Sequence, residues 1–202
     1  MKRPVLSLLV CLALAACGGL DSAGRSRLQA AVDGLDTAVF NGNKTPEIVL
    51  GSYESLYKKY PQEPIAVGAY VDALRRVGQP KKAADVLKPF IEKTDSNKLP
   101  DDIFMPYMRL LVDQGFNEDA EKRLEKRLNL PSQRLTGVAS KPQIQNLLGI
   151  ALAGQNKKTQ AEQMFTQALA HWDGRAGVVE KNIERLKAAE TAGSKPGKKA
   201  TK

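Results

Sequence analysis

The clearest indication of the fold is the stretch LGIALAGQNKKTQAEQMFTQALAHWD, residues 148–173. Large apolar residues recur at helical spacing on both sides of a central break, with Leu152 before it and Phe165 after it. The break is Gly154-Gln155-Asn156, and glycine and asparagine favour a helix C-terminus followed by a turn. The pattern therefore predicts two antiparallel helices joined by a short connection.

The order of residues in this stretch resembles the tetratricopeptide-repeat family, in which each unit of about 34 residues forms a helical hairpin. The resemblance implies that Gly149 and Ala161 are small because the two helix axes approach each other there. The matching positions are Leu148-Gly149, Leu152, Ala161, Phe165 and Ala168.

Earlier parts of the chain carry fainter copies of the same pattern. Equivalent positions are Tyr70, Leu74, Gly78, Ala83 and Leu87 in one copy, and Tyr107, Leu111, Gly115, Ala120 and Leu124 in the next. A degenerate first copy contains Phe40, Val49, Tyr53, Leu56 and Pro61. The predicted units are about 30–63, 64–97, 101–134 and 142–175, with extra loop residues at 98–100 and 135–141. Leu28 to Phe40 is the expected first helix.

The segment from Ala176 to Ala192 has apolar residues at helical spacing and a charged opposite face. A solenoid exposes the apolar side of its last repeat, so this segment is expected to form a capping helix. The predicted fold is all-α: a tetratricopeptide-type solenoid over residues 28–190, with about four repeats and a C-terminal cap. By resemblance, it forms a short right-handed superhelix with a concave inner groove.

Two local signals affect single helices. Ser140 and Gln143 have the spacing of a capping box, with Pro142 in the first turn of the helix that follows. Pro106 lies inside the first helix of the third unit. A start near Asp102 would keep this proline close to the first turn, whereas a start at Pro100 would leave it in mid-helix and kink the segment.

The N-terminus has the features of a secretory signal peptide: Lys2 and Arg3, then an apolar run too short to span a bilayer. Its end, Leu14-Ala15-Ala16-Cys17, resembles the bacterial lipobox. The resemblance implies removal of residues 1–16 and lipid on Cys17, with residues 17–27 as a linker. Gly18, where an aspartate would favour inner-membrane retention, predicts the outer membrane. The alternative is an ordinary signal peptide that ends near a cysteine.

Four of the nine excess positive charges of the chain lie in one short segment at its end. Residues 191–202 contain four lysines and no acidic residue, together with glycine, proline and serine, which predicts a disordered basic tail. The rest of the mature chain would carry only a small positive charge. No nucleic-acid-binding motif accompanies it, so nucleic acid is not an expected partner.

Enzymatic chemistry is not predicted. His171 is the only histidine, and it has neither further metal ligands nor a plausible nucleophile near it in the sequence. Together with Trp172 it is expected to close the last repeat against the capping helix. Asp101 and Asp102 precede an apolar helix and suit capping. No glycine-rich phosphate loop is present. We therefore expect no catalytic residue, no metal and no cofactor.

The expected functional surface is the groove. In the tetratricopeptide family, the first helix of each unit lines the groove through its second, fifth, ninth, twelfth and thirteenth residues. Carried over, these are Ile65, Gly68, Asp72, Arg75 and Arg76; Asp102, Met105, Arg109, Val112 and Asp113; and Gln143, Asn146, Ile150, Ala153 and Gly154. The predicted partner-binding residues are Asp72, Arg75, Arg76, Arg109 and Asn146. Any one of these residues could equally be part of a solvated face. The arginines predict an acidic partner segment.

Lipobox, size and repeats together resemble the tight-adherence (Flp) pilus assembly lipoproteins of the TadD family, and the pilotins of type IV pili. The resemblance implies a non-catalytic, lipid-anchored adaptor that faces the periplasm and binds secretin or other pilus or secretion components. Two alternatives remain open. One is an accessory of outer-membrane protein insertion or of cell-wall hydrolase control, and the other is an enzyme regulator or cryptic hydrolase.

Overall fold

The computed structural model describes residues 20–92, 94–131, 140–172 and 177–193, and these residues form helices joined by turns. Four helical hairpins follow one another, α1–α2, α3–α4, α5–α6 and α7–α8, and α9 packs on α8 and α7. The predicted all-α solenoid of about four repeats with a C-terminal capping helix is confirmed. A short 3-10 helix, Ser96–Lys98, precedes α5. The helices are α1 (Ser22–Phe40), α2 (Pro46–Lys59), α3 (Pro64–Arg76), α4 (Pro80–Ile91), α5 (Asp101–Asp113), α6 (Asn117–Leu128), α7 (Lys141–Gly154), α8 (Lys158–Ala170) and α9 (Gly177–Gly193).

The turns inside the second, third and fourth hairpins repeat the same geometry. Each contains one residue with positive φ: Gly78 at 73°, Gly115 at 82° and Asn156 at 62°. Glycine and asparagine tolerate this left-handed conformation best, and it ends a helix in a Schellman-type turn. The next backbone N–H then bonds back into the preceding helix, as Gln79 N to Leu74 O (2.8 Å), Phe116 N to Leu111 O (2.9 Å) and Lys157 N to Leu152 O (3.0 Å). The equivalence of the three units is therefore confirmed.

Small residues lie where the helices of one hairpin touch. Ala83, Ala120 and Ala161 are completely buried at equivalent positions of the second helices. A Cβ added to Gly149 would lie 2.5 Å from the ring of Phe165, which shows how closely α7 and α8 approach. The small residues predicted at this seam are confirmed in position and in role.

Neighbouring hairpins touch at another glycine, on the groove side. The backbone oxygen of Asp102 in α5 would lie 1.8 Å from a Cβ added to Gly68 in α3. Helix α5 begins at Asp101 and continues through Pro106, which has no N–H to donate to Asp102 four residues earlier. The missing side chain of Gly68 therefore makes room for the carbonyl that Pro106 leaves unbonded within α5.

The three extra residues between the second and third hairpins are held by a buried cation. Arg127 in α6 donates hydrogen bonds to the backbone oxygen of Leu99 (2.7 Å) and to Asp101 (3.0 Å). Its guanidinium lies 4.2 Å from the ring centre of Phe104. Burial lowers the pKa of Arg127, against the opposing charge of Asp101. These contacts explain how the loop at residues 98–100 packs into the solenoid.

Helix α1 begins at Ser22, six residues before the predicted start at Leu28, so residues 22–27 of the expected linker are helical. Asp21 caps this helix, since its side chain accepts the N–H of Gly24 at 2.7 Å. The prediction began at the first apolar position and missed this cap. The expected first copy is partly confirmed, because Val49 and Tyr53 are buried in α2, whereas Phe40 is 62% exposed.

Helix α9 extends to Gly193, so the first three residues of the predicted tail continue the helix. Alanine-rich sequence favours this extension, since alanine has the highest helix propensity. Residues 1–19, including Cys17, and residues 194–202 lie outside the described residues. Most of the predicted loop 135–141 does so as well.

Candidate functional site: the inner groove

The first helices of successive hairpins lie side by side and form a groove with two hollows. The N-terminal hollow, about 120 Å³, lies between α1, α3 and α5. The C-terminal hollow, about 520 Å³, lies between α3, α5 and α7, and includes Trp172 and Val178. Every residue predicted to face inward lines one of the two hollows, except Ala153 and Gly154. Gly154 instead packs against the side chain of Asn117 in α6.

Three arginines and three aspartates form ion pairs across the groove, which we call the arginine–aspartate network. All its pairs except Arg75–Asp72 join different first helices. Arg75 and Arg109 in α3 and α5 share one carboxylate, that of Asp72. The pairs are Arg75 Nε to Asp72 Oδ1 (3.3 Å), Arg75 Nη1 to Asp113 Oδ2 (2.7 Å), Arg76 Nη1 to Asp36 Oδ1 (3.0 Å), and Arg109 to Asp72.

The three positive charges of the network are balanced by its three carboxylates. Burial alone would lower the pKa of Arg75, but the carboxylates of Asp72 and Asp113 outweigh it and raise that pKa. Tyr53 in α2 donates its hydroxyl to Asp36 at 2.9 Å. Burial and the Asp36 carboxylate raise the pKa of the Tyr53 phenol. The sequence-based picture of free cations at the centre of the groove is therefore corrected, because each arginine already has a carboxylate partner within the chain.

Two more of the predicted partner-binding residues have structural partners. Asp72 is 9% exposed and accepts from both Arg75 and Arg109. Asn146 is equally buried, and its side-chain oxygen accepts from the amide of Asn182 in α9 at 2.9 Å. Both residues line the groove, as predicted, but their polar atoms hold neighbouring helices together.

Two carboxylates of the N-terminal hollow lie outside the network. Asp33 in α1 is exposed and accepts only from Gln29, at 2.8 Å. Asp102 in α5 is half-buried, and burial, followed by the nearby charge of Asp101, raises its pKa. Neither Asp33 nor Asp102 has a cationic partner among the described residues. Of the residues that the structure describes, five aspartates and three arginines line the two hollows, and no lysine does, so these residues give the groove an acidic excess.

The C-terminal hollow is mainly apolar. Val112, Ile150 and Trp172 are half-buried in its walls, and Val178 at the start of α9 is 53% exposed. Trp172 therefore packs at the end of the last repeat, as predicted. His171 does not: it is exposed, and its ring nitrogen Nδ1 lies 3.2 Å from the backbone oxygen of Gln167. The expected closing role of His171 is wrong, because α8 ends there with the ring directed along its own helix.

Neither a metal cluster nor a membrane span is found in the described part of the chain. Across residues 20–92, 94–131, 140–172 and 177–193, no three His, Cys, Asp or Glu side chains come together as metal ligands. Among those same residues, no helix is both long enough and apolar enough to cross a bilayer. The prediction that the protein is not an enzyme stays a prediction, as does lipidation of Cys17.

Sequence reasoning missed the contribution of α1 to the groove. The degenerate first copy hid Asp33 and Asp36, although their spacing of three residues places them on one helix face. The sequence pattern also gives no sign of the role of Glu63. This residue is buried, and its carboxylate accepts hydrogen bonds from the backbone N–H of Leu20 (2.7 Å) and from Arg25 Nε (3.3 Å). These bonds fasten the start of α1 to the junction between α2 and α3.

Comparison with known proteins finds no counterpart: no family model, no curated protein and no solved structure matches the chain. The interpretation of function therefore rests on the groove and on the motifs of the sequence.

Proposed function

We propose that the protein is a non-catalytic adaptor, a lipoprotein of the bacterial outer membrane whose groove binds protein partners in the periplasm. The proposed setting is the assembly of a pilus or secretion machine, where secretin or other machine components are the partners. The proposal assigns it to the tetratricopeptide-repeat lipoproteins.

The observation that carries the proposal is the continuous inner groove, walled by α1, α3, α5, α7 and the start of α9. An extended segment or a helix of another protein fits a surface that combines an apolar hollow with charged side chains. The half-exposed Val178 supports the same proposal. Covering an apolar side chain at the rim of a hollow with a partner removes apolar surface from water, which favours binding.

The anchor would hold this groove close to the membrane. Leu20 is bonded to Glu63, and three residues of extended chain between Cys17 and Leu20 span at most about 11 Å. Lipid on Cys17 would therefore keep the N-terminal end of the solenoid near the bilayer surface. A single acyl chain binds a membrane only marginally, and the several chains that a lipobox implies would make the attachment lasting.

The test is site-specific photo-crosslinking in cells. A photoreactive phenylalanine analogue replaces Ile150 in the groove of the full chain, and the matched control replaces Glu162, which is exposed on α8. Products are identified by mass spectrometry. We expect the analogue at position 150 to give a crosslinked product that the analogue at position 162 does not give. Under the proposal, this product contains a secretin or another pilus component.

Other outcomes would change the assignment. A product containing a component of outer-membrane protein insertion, or a cell-wall hydrolase, would replace the pilus setting with one of the alternatives. Identical products from both positions would contradict groove binding itself.

A further inference from the structure

The apolar C-terminal hollow and the acidic N-terminal hollow are neighbours along one groove. Met105 and Arg109 of α5 line both hollows, so a single bound segment can enter the two at once. The exposed Val178 and the half-buried Ile150 offer contacts for an apolar side chain. The charge that suits the rest of such a segment depends on the charged residues of the groove.

The charged residues of the groove favour one charge on a bound segment over the other. In the part of the chain that the structure describes, the three groove arginines are paired with Asp36, Asp72 and Asp113, so none of these cations is left unpaired for an incoming carboxylate. Asp33 and Asp102 have no such compensation among the described residues. The acidic excess contrasts with the net charge of the whole chain, which is +9. A cationic side chain in the N-terminal hollow would complete the charge balance, whereas an anionic one would add repulsion.

We propose that the groove binds a basic–apolar segment of a partner protein, with a lysine or arginine beside Asp33 and Asp102 and an apolar side chain in the C-terminal hollow. This inference rests on the proposed function and specifies the chemistry of its partner. It replaces the acidic partner that the sequence alone predicts.

The test uses a randomised peptide library displayed on phage and selected on the full chain, purified in a non-ionic detergent. The test variant is Asp33→Asn with Asp102→Asn. The matched control is Asp85→Asn with Glu162→Gln, which makes the same charge change at exposed positions of α4 and α8. We expect the unchanged chain to select peptides that combine lysine or arginine with a large apolar residue.

A selected peptide should bind the test variant about fivefold more weakly than the unchanged chain, as two partly exposed charge contacts would give. The control should bind it as before, and affinity should fall as salt rises. Acidic peptides, or peptides without a charge preference, would overturn the inference while leaving groove binding intact. Peptides whose binding survives Ile150→Asp would overturn the proposed function as well, because they would bind elsewhere. A selection that enriches nothing over detergent alone also overturns the inference.

One further variant separates a partner from the chain's own basic tail. Deletion of residues 194–202 should leave the affinity for the selected peptide unchanged. A rise in affinity on deletion would mean that the tail competes for the groove, and would overturn the assignment to a partner protein.

Discussion

Gly68→Ala in α3 tests how closely the second and third hairpins approach each other. The added Cβ would lie 1.8 Å from the backbone oxygen of Asp102, whereas C–H···O contacts in proteins begin at about 3.3 Å. The shortfall is about 1.5 Å. The obstructing atom belongs to the backbone of α5 and cannot rotate away, so α3 and α5 must separate.

The expected change in unfolding free energy has two parts. Overpacking of this kind destabilises the fold by about 3 kcal/mol. The higher helix propensity of alanine compared with glycine stabilises it by about 1 kcal/mol. The net loss of about 2 kcal/mol corresponds to a fall in Tm of roughly 4–8 °C for a chain of this size.

Thermal unfolding followed by circular dichroism measures this change, and Gly51→Ala is the matched control. Gly51 lies in α2, and a Cβ added there would meet nothing within 4 Å. The control should therefore raise the midpoint by roughly 2–4 °C through helix propensity alone. If Gly68→Ala raises the midpoint as much as Gly51→Ala, the close approach of α3 and α5 is refuted.

Further tests concern the last hairpin, the proposed lipid anchor, the arginine–aspartate network and Asp102. Ala161→Trp should overpack the seam between α7 and α8 and reduce unfolding free energy by about 1–3 kcal/mol, and an unchanged midpoint would show that the repeat register is wrong. Cys17→Ser should abolish acyl labelling and outer-membrane fractionation, and normal labelling would exclude lipidation at that residue. Replacing all three arginines of the arginine–aspartate network with alanine should lower the unfolding free energy, measured by chemical denaturation, by about 2–3 kcal/mol, since Asp72 is left buried without a cation. An unchanged unfolding free energy would mean that the ion pairs do not hold the helices together. Because the folded pKa of Asp102 is raised, its protonated form favours folding at low pH and that contribution is lost as pH rises through the folded pKa. The stability of Asp102→Asn relative to the unchanged chain should therefore improve as pH rises above about 4, the ordinary pKa of an aspartate, and a difference that does not change with pH would contradict the burial of this carboxylate.

The helical hairpins and their register can be predicted from the amino-acid sequence alone. The signals for them are local: Gly78, Gly115 and Asn156 end helices, and Ala83 and Ala161 mark the seams within hairpins. Such features act over a few residues of chain, where steric rules and helical periodicity are sufficient. Most of the inward-facing positions came from the resemblance to the tetratricopeptide family, applied once the register was set. The local rules failed for α1, whose apolar pattern is weak and whose start depends on Asp21.

The charge of the groove, in contrast, depends on contacts between helices that are far apart in the sequence. Arg75 contacts Asp113, Arg76 contacts Asp36 and Arg109 contacts Asp72 across 38, 40 and 37 residues of sequence. These separations exceed one repeat, so each pair joins the first helices of neighbouring hairpins. Which carboxylate each arginine reaches depends on how closely those helices pack and on the rotamers that the packing allows. For that reason the arginines, read alone, predicted an acidic partner, and their packed neighbours instead leave the groove with an excess of carboxylates.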